Sequence, residues 1–218
     1  MVARIGAGAG IAPEGGALAL GIAIAGAVLI VVGLHSIGAI VVLAALAVGA
    51  FFRDPDRFPQ RTDDVMLSGA DGKVTDIAEA PIPGVGAPRF HRVSVFMSPL
   101  NVHVNRAPVG GSVTRVEHTA GAFRAAFRDD ASEHNERNLI VFKSTEGRVF
   151  GMMQVAGYVA RRIVCRIRAH DIVQPAQKVG LIMFGSRVDH FLPAEYRVTV
   201  AVGNRVRAGE SILGELNR

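Results

Sequence analysis

The chain has 218 residues, half of them hydrophobic, a formal charge of +5 and a single cysteine. One cysteine excludes an internal disulfide framework, and its place in the apolar run Ile163-Val164-Cys165 favours a buried structural residue over a nucleophile. With no Trp, only two Tyr and no lysine run, a base-stacking nucleic-acid surface is poorly supported.

Residues 1–16 read as an N-terminal tail. Residues 17–34 and 37–52 carry no charge, and only His35 and Ser36 lie between them. Helices of these lengths rise about 27 and about 24 Å, close to a thin hydrocarbon core. Ser36 and Gly38 permit a turn, so 17–52 is expected to form a membrane helical hairpin, with one long tilted span as the alternative. Apolarity on every face argues against core helices of a soluble domain, and the stretch is too long for a signal-peptide core. Arg53, Arg57 and Arg61 follow directly, and basic residues mark the cytoplasmic flank of membrane segments. The later domain is therefore expected on the cytoplasmic side of the cell membrane. Before Arg53 the only charged residues are Arg4 and Glu14, so the positive excess sits on that domain and suits an anionic lipid surface. Two prolines interrupt Arg53-Asp54-Pro55-Asp56-Arg57-Phe58-Pro59, and 53–64 is expected to be a linker along the membrane surface.

Residues 65–218 show short strands punctuated by Gly, Pro, Asn and Asp. Strands are expected at 93–96 and 138–142, then a turn at Thr145-Glu146-Gly147 into 148–150, a β-rich run over 151–168, and an alternating strand at 196–202 that turns at Gly203-Asn204. This reads as a mainly β, antiparallel domain. The phrases GADGKVTDI, GGSVTRVEH and GNRVRAGESIL share a Gly-turn-strand rhythm similar to biotinyl/lipoyl-type units.

The chain offers no CxxC, HExxH, Walker loop or GxGxxG, and its seven His show no metal-ligand spacing, so no metal site is expected. Three segments remain as candidates for chemistry. Asp71 lies in Ser68-Gly69-Ala70-Asp71-Gly72-Lys73, where the plain reading is a turn. Asn101, His103 and Asn105 would share one face of a strand, where the plain reading is a solvated face. An apolar strand over 180–184 runs into Gly185-Ser186, a common turn pair.

Together, the phrases FFRDPDRFP, SGADGKV, VFMSPLNVHVNRAP, HNERNLIVF and GLIMFGSRVD resemble, in order, the phosphatidylserine decarboxylase family in its compact membrane-anchored form. The resemblance covers 51 to about 193. It implies a pyruvoyl-dependent carboxy-lyase that converts phosphatidylserine to phosphatidylethanolamine and CO2 through a Schiff base. Decarboxylating an amino acid requires an electrophile that unmodified side chains lack. The family makes its pyruvoyl group from its own backbone, by attack of Ser186 on the carbonyl of Gly185. The implied catalytic residues are Ser186, His103 as base and Asp71 to orient it. Glycine at 185 leaves the approach of the hydroxyl unobstructed by a Cβ. Cleavage would give a β chain 1–185 and an α chain 186–218 that stay together as a heterodimer, and the resemblance also suggests a higher homo-oligomer. His134 and Arg137, in HNERN, are candidates to contact substrate phosphate or carboxylate, with a surface turn as the alternative. Asn101 stands where many members carry Asp. Rival readings are a decarboxylase of an ether-linked serine phospholipid, a serine hydrolase, which would lack the usual G-x-S-x-G elbow, and a non-enzymatic membrane-anchored lipoyl-like adaptor.

Overall fold

The computed structural model describes residues 10–86, 89–121, 135–157, 162–183 and 185–217. Two compact units make up the chain, one spanning Ala7–Asp56 and the other built from Arg57–Arg218.

In the first unit, strand β1 (Gly10–Ile11) pairs antiparallel with β2 (Arg53–Asp54), and two helices lie between them, α1 (Pro13–Val31) and α2 (His35–Phe51). Pro13 opens α1 where its missing N–H costs nothing, and Glu14 sits at the positive end of the helix dipole. The turn falls at 32–34, upstream of the expected Ser36–Gly38 pair, because Gly33 takes a left-handed conformation at φ 90°. The helices run antiparallel along a seam of small residues. A Cβ on Gly26 would meet Val42 at 2.8 Å, and one on Gly38 would meet Ile30 at 2.5 Å. Outside that seam Leu18, Leu20, Ile24, Ile40, Leu43 and Leu46 are exposed. Exposed apolar surface of this kind marks a protein or membrane interaction site. α1 is long and apolar enough to cross a membrane, and α2 is two residues shorter at 17.

The second unit is antiparallel β throughout. In chain order its strands are β3 (Val65–Leu67), β4 (Gly72–Ala80), β5 (Phe90–Met97), β6 (Val104–Arg106), β7 (Gly111–Thr119), β8 (Arg137–Lys143) and β9 (Val149–Val155). The later strands are β10 (Ile163–Cys165), β11 (Ile172–Val173), β12 (Lys178–Ile182), β13 (Ser186–Pro193), β14 (Tyr196–Val198), β15 (Arg205–Val206) and β16 (Ile212–Leu216). They form an eight-stranded sheet in the order β11-β7-β8-β9-β13-β5-β4-β15 and two three-stranded sheets, β10-β12-β6 and β14-β16-β3.

All eight residues of β13 are buried, because β5 and β9 pair with its two edges and a hydrophobic core lies on each face. Val188 and Leu192 enter the larger core with Val95, Ile140 and Met152. Phe191 points the other way, into a second core with Ile82, Leu139, Val141 and Met153. The strand expected over 196–202 stops at Val198, since Asn204 turns the chain early by accepting the Ala201 N–H at 2.9 Å. Within the run expected over 151–168, β9 ends at Val155 and β10 covers Ile163–Cys165. Cys165 is half-buried, with its thiol 3.3 Å from the carbonyl of Ile167.

Candidate active site

β12 ends at Ile182 in one sheet and β13 begins at Ser186 in another, so the chain changes sheets within 183–185. Gly185 makes that change at φ 60°, a left-handed conformation costly for any residue with a Cβ. This is a second demand for glycine, beyond an unobstructed approach of the hydroxyl. Ser186 is fully buried, with its Oγ 3.5 Å from Met97 Sδ, its pairing partner on β5.

Asp71 comes to the Ser186 end of the eight-stranded sheet, while His103 lies just ahead of a strand in the β10-β12-β6 sheet. Met97 ends β5, and Lys73 on β4 pairs with Phe96, so Asp71 just ahead of β4 lies on the far side of β5 from Ser186. His103 immediately precedes β6, which pairs with β12, and the His103 carbonyl accepts the Ile182 N–H at 3.4 Å.

The ring of buried His103 is oriented by backbone. Its Nδ1 lies 3.0 Å from the Asn101 carbonyl, so Nδ1 carries the proton and Nε2 is the basic nitrogen. The hydrogen bonds of Asp71 run elsewhere. Oδ2 accepts from Arg57 Nη2 at 2.8 Å, and Oδ1 accepts the Ala208 N–H at 2.7 Å. Asn101 is not on a strand. Its Oδ1 accepts from Ser98 N at 2.9 Å and Ser98 Oγ at 2.8 Å, closing the turn that presents its carbonyl to His103. An Asp carboxylate could accept the same two bonds.

Two arginines of the expected surface linker behave differently from that expectation. Arg57 is buried and bridges Asp71 and Glu210, and Arg61 pairs with Glu215 at 2.6 Å. Each meets a carboxylate of the β unit, Arg57 in a buried pair and Arg61 in one that stays partly exposed. Arg137 begins β8 in the row Arg137–Val155–Arg187. Side-chain alternation along β13 puts that row on the opposite face from Ser186. His134 lies outside the described residues.

Sequence reasoning missed the support of the site. Gly69 donates its N–H to His190 Nε2 at 2.7 Å and accepts the Arg106 N–H at 3.0 Å. Burial lowers His190 from 6.5 to about 4, so the ring is neutral, with Nδ1 donating to the Val93 carbonyl at 3.2 Å. A buried chain of amides reaches the same point. Asn138 Nδ2 donates to Gln154 Oε1 at 2.9 Å, Gln154 Nε2 to Asn105 Oδ1 at 2.9 Å, and Asn105 Nδ2 to the Gly69 carbonyl at 3.3 Å. The signal in sequence was polar residues at inward positions of strands that otherwise bury apolar ones.

Arg187 and Asp189 form a buried ion pair on the far face, with Nε and Oδ1 at 3.0 Å. Among the described residues no group of His, Cys, Asp and Glu could hold a metal ion.

The candidate residues are thus a serine after a left-handed glycine, a histidine with one defined basic nitrogen, and a carboxylate fixed by an arginine. The wider likeness of the chain is specific. A family model described as phosphatidylserine decarboxylase matches residues 44–214. A protein of Chlorobium chlorochromatii named phosphatidylserine decarboxylase proenzyme is 47% identical over 164 residues, covering 75% of this chain and 76% of its own. Proteins of the same name from Zymomonas mobilis (46% over 176 residues, 78% and 72% covered) and Syntrophus aciditrophicus (43% over 164 residues, 75% and 77%) agree. On that match and that coverage the chain belongs to the phosphatidylserine decarboxylase family.

Proposed function

We propose that this chain is made as a proenzyme, cuts itself between Gly185 and Ser186, and decarboxylates phosphatidylserine to phosphatidylethanolamine and CO2 with a pyruvoyl group formed at residue 186. The observation that carries the reading is the junction itself, a left-handed Gly185 followed by a fully buried serine.

Cleavage starts when Ser186 Oγ attacks the carbonyl carbon of Gly185 and the amide nitrogen leaves, which turns the peptide into an ester. His103 Nε2 takes the hydroxyl proton, and Asp71 is held in place by Arg57 and the Ala208 N–H. Loss of the α-proton of residue 186 then expels the Gly185 carboxylate and leaves dehydroalanine. Water converts that to a ketone and releases ammonia.

Burial and the left-handed bend fit such a ketone, since the new N-terminus needs a dry, fixed position. When present, the ketone condenses with the serine amine and accepts the electron pair that departing CO2 leaves behind. His103 then returns a proton to the substrate α-carbon.

After the cut, β13 keeps its pairing with β5 and β9, β15 with β4, and β16 with β3, which supports a lasting heterodimer of 1–185 and 186–218. The apolar hairpin supports attachment to the cell membrane, with the β unit on the cytoplasmic side.

Denaturing mass spectrometry tests the reading. Active protein is expected to contain a 186–218 fragment lighter than its serine-initiated form by one ammonia. Ser186→Ala is expected to remain whole and release no CO2. Active protein that is one unbroken chain would refute the mechanism.

A further inference from the structure

Among the described residues Ser186 Oγ has one hydrogen-bond partner, the thioether of Met97 at 3.5 Å. Resting on the self-cleavage reading above, we propose that Met97 orients the Ser186 hydroxyl for its attack on Gly185, and that a buried chain of amides fixes Met97 in turn.

Register places the pair. Ser186 opens β13 opposite Met97, the last residue of β5, and both are fully buried, so water does not compete for the hydroxyl. In this bond the hydroxyl donates, because a thioether can only accept, and accepts weakly. The proton therefore rests toward Sδ, and the lone pairs of Oγ are turned away from Met97. An apolar side chain at 97 would leave the buried hydroxyl without this acceptor, free to turn into another staggered well. A carbonyl in the place of the sulfur would hold the proton by an ordinary hydrogen bond, which attack would have to break. A weak acceptor avoids both costs. It sets the direction of the nucleophile and gives up the proton readily to a base.

The sulfur is itself held. Methionine has three rotatable bonds and adapts easily within a core. Here its Sδ also lies 3.7 Å from Asn105 Nδ2 on β6. Asn105 presents that end because its Oδ1 accepts from Gln154 Nε2 at 2.9 Å, and Gln154 Oε1 accepts from Asn138 Nδ2 at 2.9 Å. Each amide oxygen is thus committed to the donor before it, and the next donor points onward. Asn138, Gln154, Asn105 and Met97 are at most 1% exposed. A polar chain built on β8, β9 and β6 therefore ends on the one atom that touches Ser186 Oγ. Met97 contacts the reacting atom, and Asn105 is a positioning residue that acts through it.

The test is a pulse-chase of the full chain in detergent, with the 186–218 fragment read by mass. Met97→Leu keeps the bulk and removes the acceptor. Its half-time of self-cleavage is expected to lengthen about tenfold or more, the scale on which misplacing an attacking atom slows a reaction. Met66→Leu makes the same exchange at a fully buried position of β3 and is expected to stay within about twofold. Hydroxylamine, which cuts an ester but spares a peptide bond, separates attack from the later elimination. It is expected to leave Met97→Leu cutting slowly, because little ester forms. With Ser186→Ala added, both leucine chains are expected to unfold at the urea midpoint of their parent. Cleavage of Met97→Leu within about twofold of the parent overturns the assignment. So does an equal delay in Met66→Leu, full-rate cutting by hydroxylamine, or a urea midpoint lowered in Met97→Leu alone. Failure of the wild-type chain to cleave or release CO2 would instead sink the decarboxylase reading.

Discussion

Lowering the pH should destabilise the folded chain through His190, a residue that does no chemistry. Its imidazole is fully buried, donates from Nδ1 to Val93 and accepts at Nε2 from Gly69. Protonating Nε2 would set two N–H groups against each other in a dry core. Burial accordingly holds the folded-state value at about 4, against 6.5 for the free side chain. Between those values the unfolded chain binds a proton that the folded chain refuses. Stability is therefore complete above about pH 6.5 and falls as pH drops toward 4, by roughly 3 kcal/mol in all. The assay is urea unfolding of the full chain in detergent, carrying Ser186→Ala so that one species is present, across that pH range. Other carboxylates also titrate as the pH falls, so the comparison is with the same chain carrying His190→Gln. A glutamine amide can donate to Val93 and accept from Gly69 without titrating. The difference in stability between the two chains should change by roughly 3 kcal/mol from neutral pH to pH 4. Parallel pH profiles would refute the reasoning.

Gln154→Leu should lower stability by roughly 2–5 kcal/mol, because it strands both Asn138 Nδ2 and Asn105 Oδ1 in the core. It should also slow self-cleavage in a pulse-chase, since Asn105 bonds the Gly69 carbonyl. Gly69→Ala should cost roughly 1–3 kcal/mol in denaturant unfolding. Its Cβ would lie 2.5 Å from Met152 Sδ, which can swing away, but also 2.9 Å from the Arg106 carbonyl, which is fixed backbone.

The antiparallel β class and the strand junction at Gly185-Ser186 were legible in sequence for a common reason, namely local chemistry. Alternation and Gly-rich turns depend on neighbouring residues, as does Gly185-Ser186. What could not be read were partnerships between distant segments. Arg57 looked like a membrane-flanking cation, yet it holds Asp71. Asp71 looked like the partner of a histidine ring, yet its bonds go to Arg57 and to the backbone of Ala208, 137 residues further on. Asn101 looked like a strand residue, but its side chain closes a turn on Ser98. Each depends on sheet order, which no window of sequence encodes.

That long-range assembly bears on when the chain can cut itself. Ser186 faces Met97, 89 residues earlier, through pairing of β13 with β5. The turn that carries Asp71 is fastened by residues beyond the cut, with Ser68 N bonded to the Ser211 carbonyl, Gly209 N to the Ser68 carbonyl and Gly69 N to His190. The turn that holds Asp71 thus takes its place only after 190–211 have joined the fold. A chain released early from this order would have the serine and the glycine but not Asp71 in its place. On the proposed cleavage reading, β13 is already locked between β5 and β9 when the backbone breaks, so the fold survives the cut.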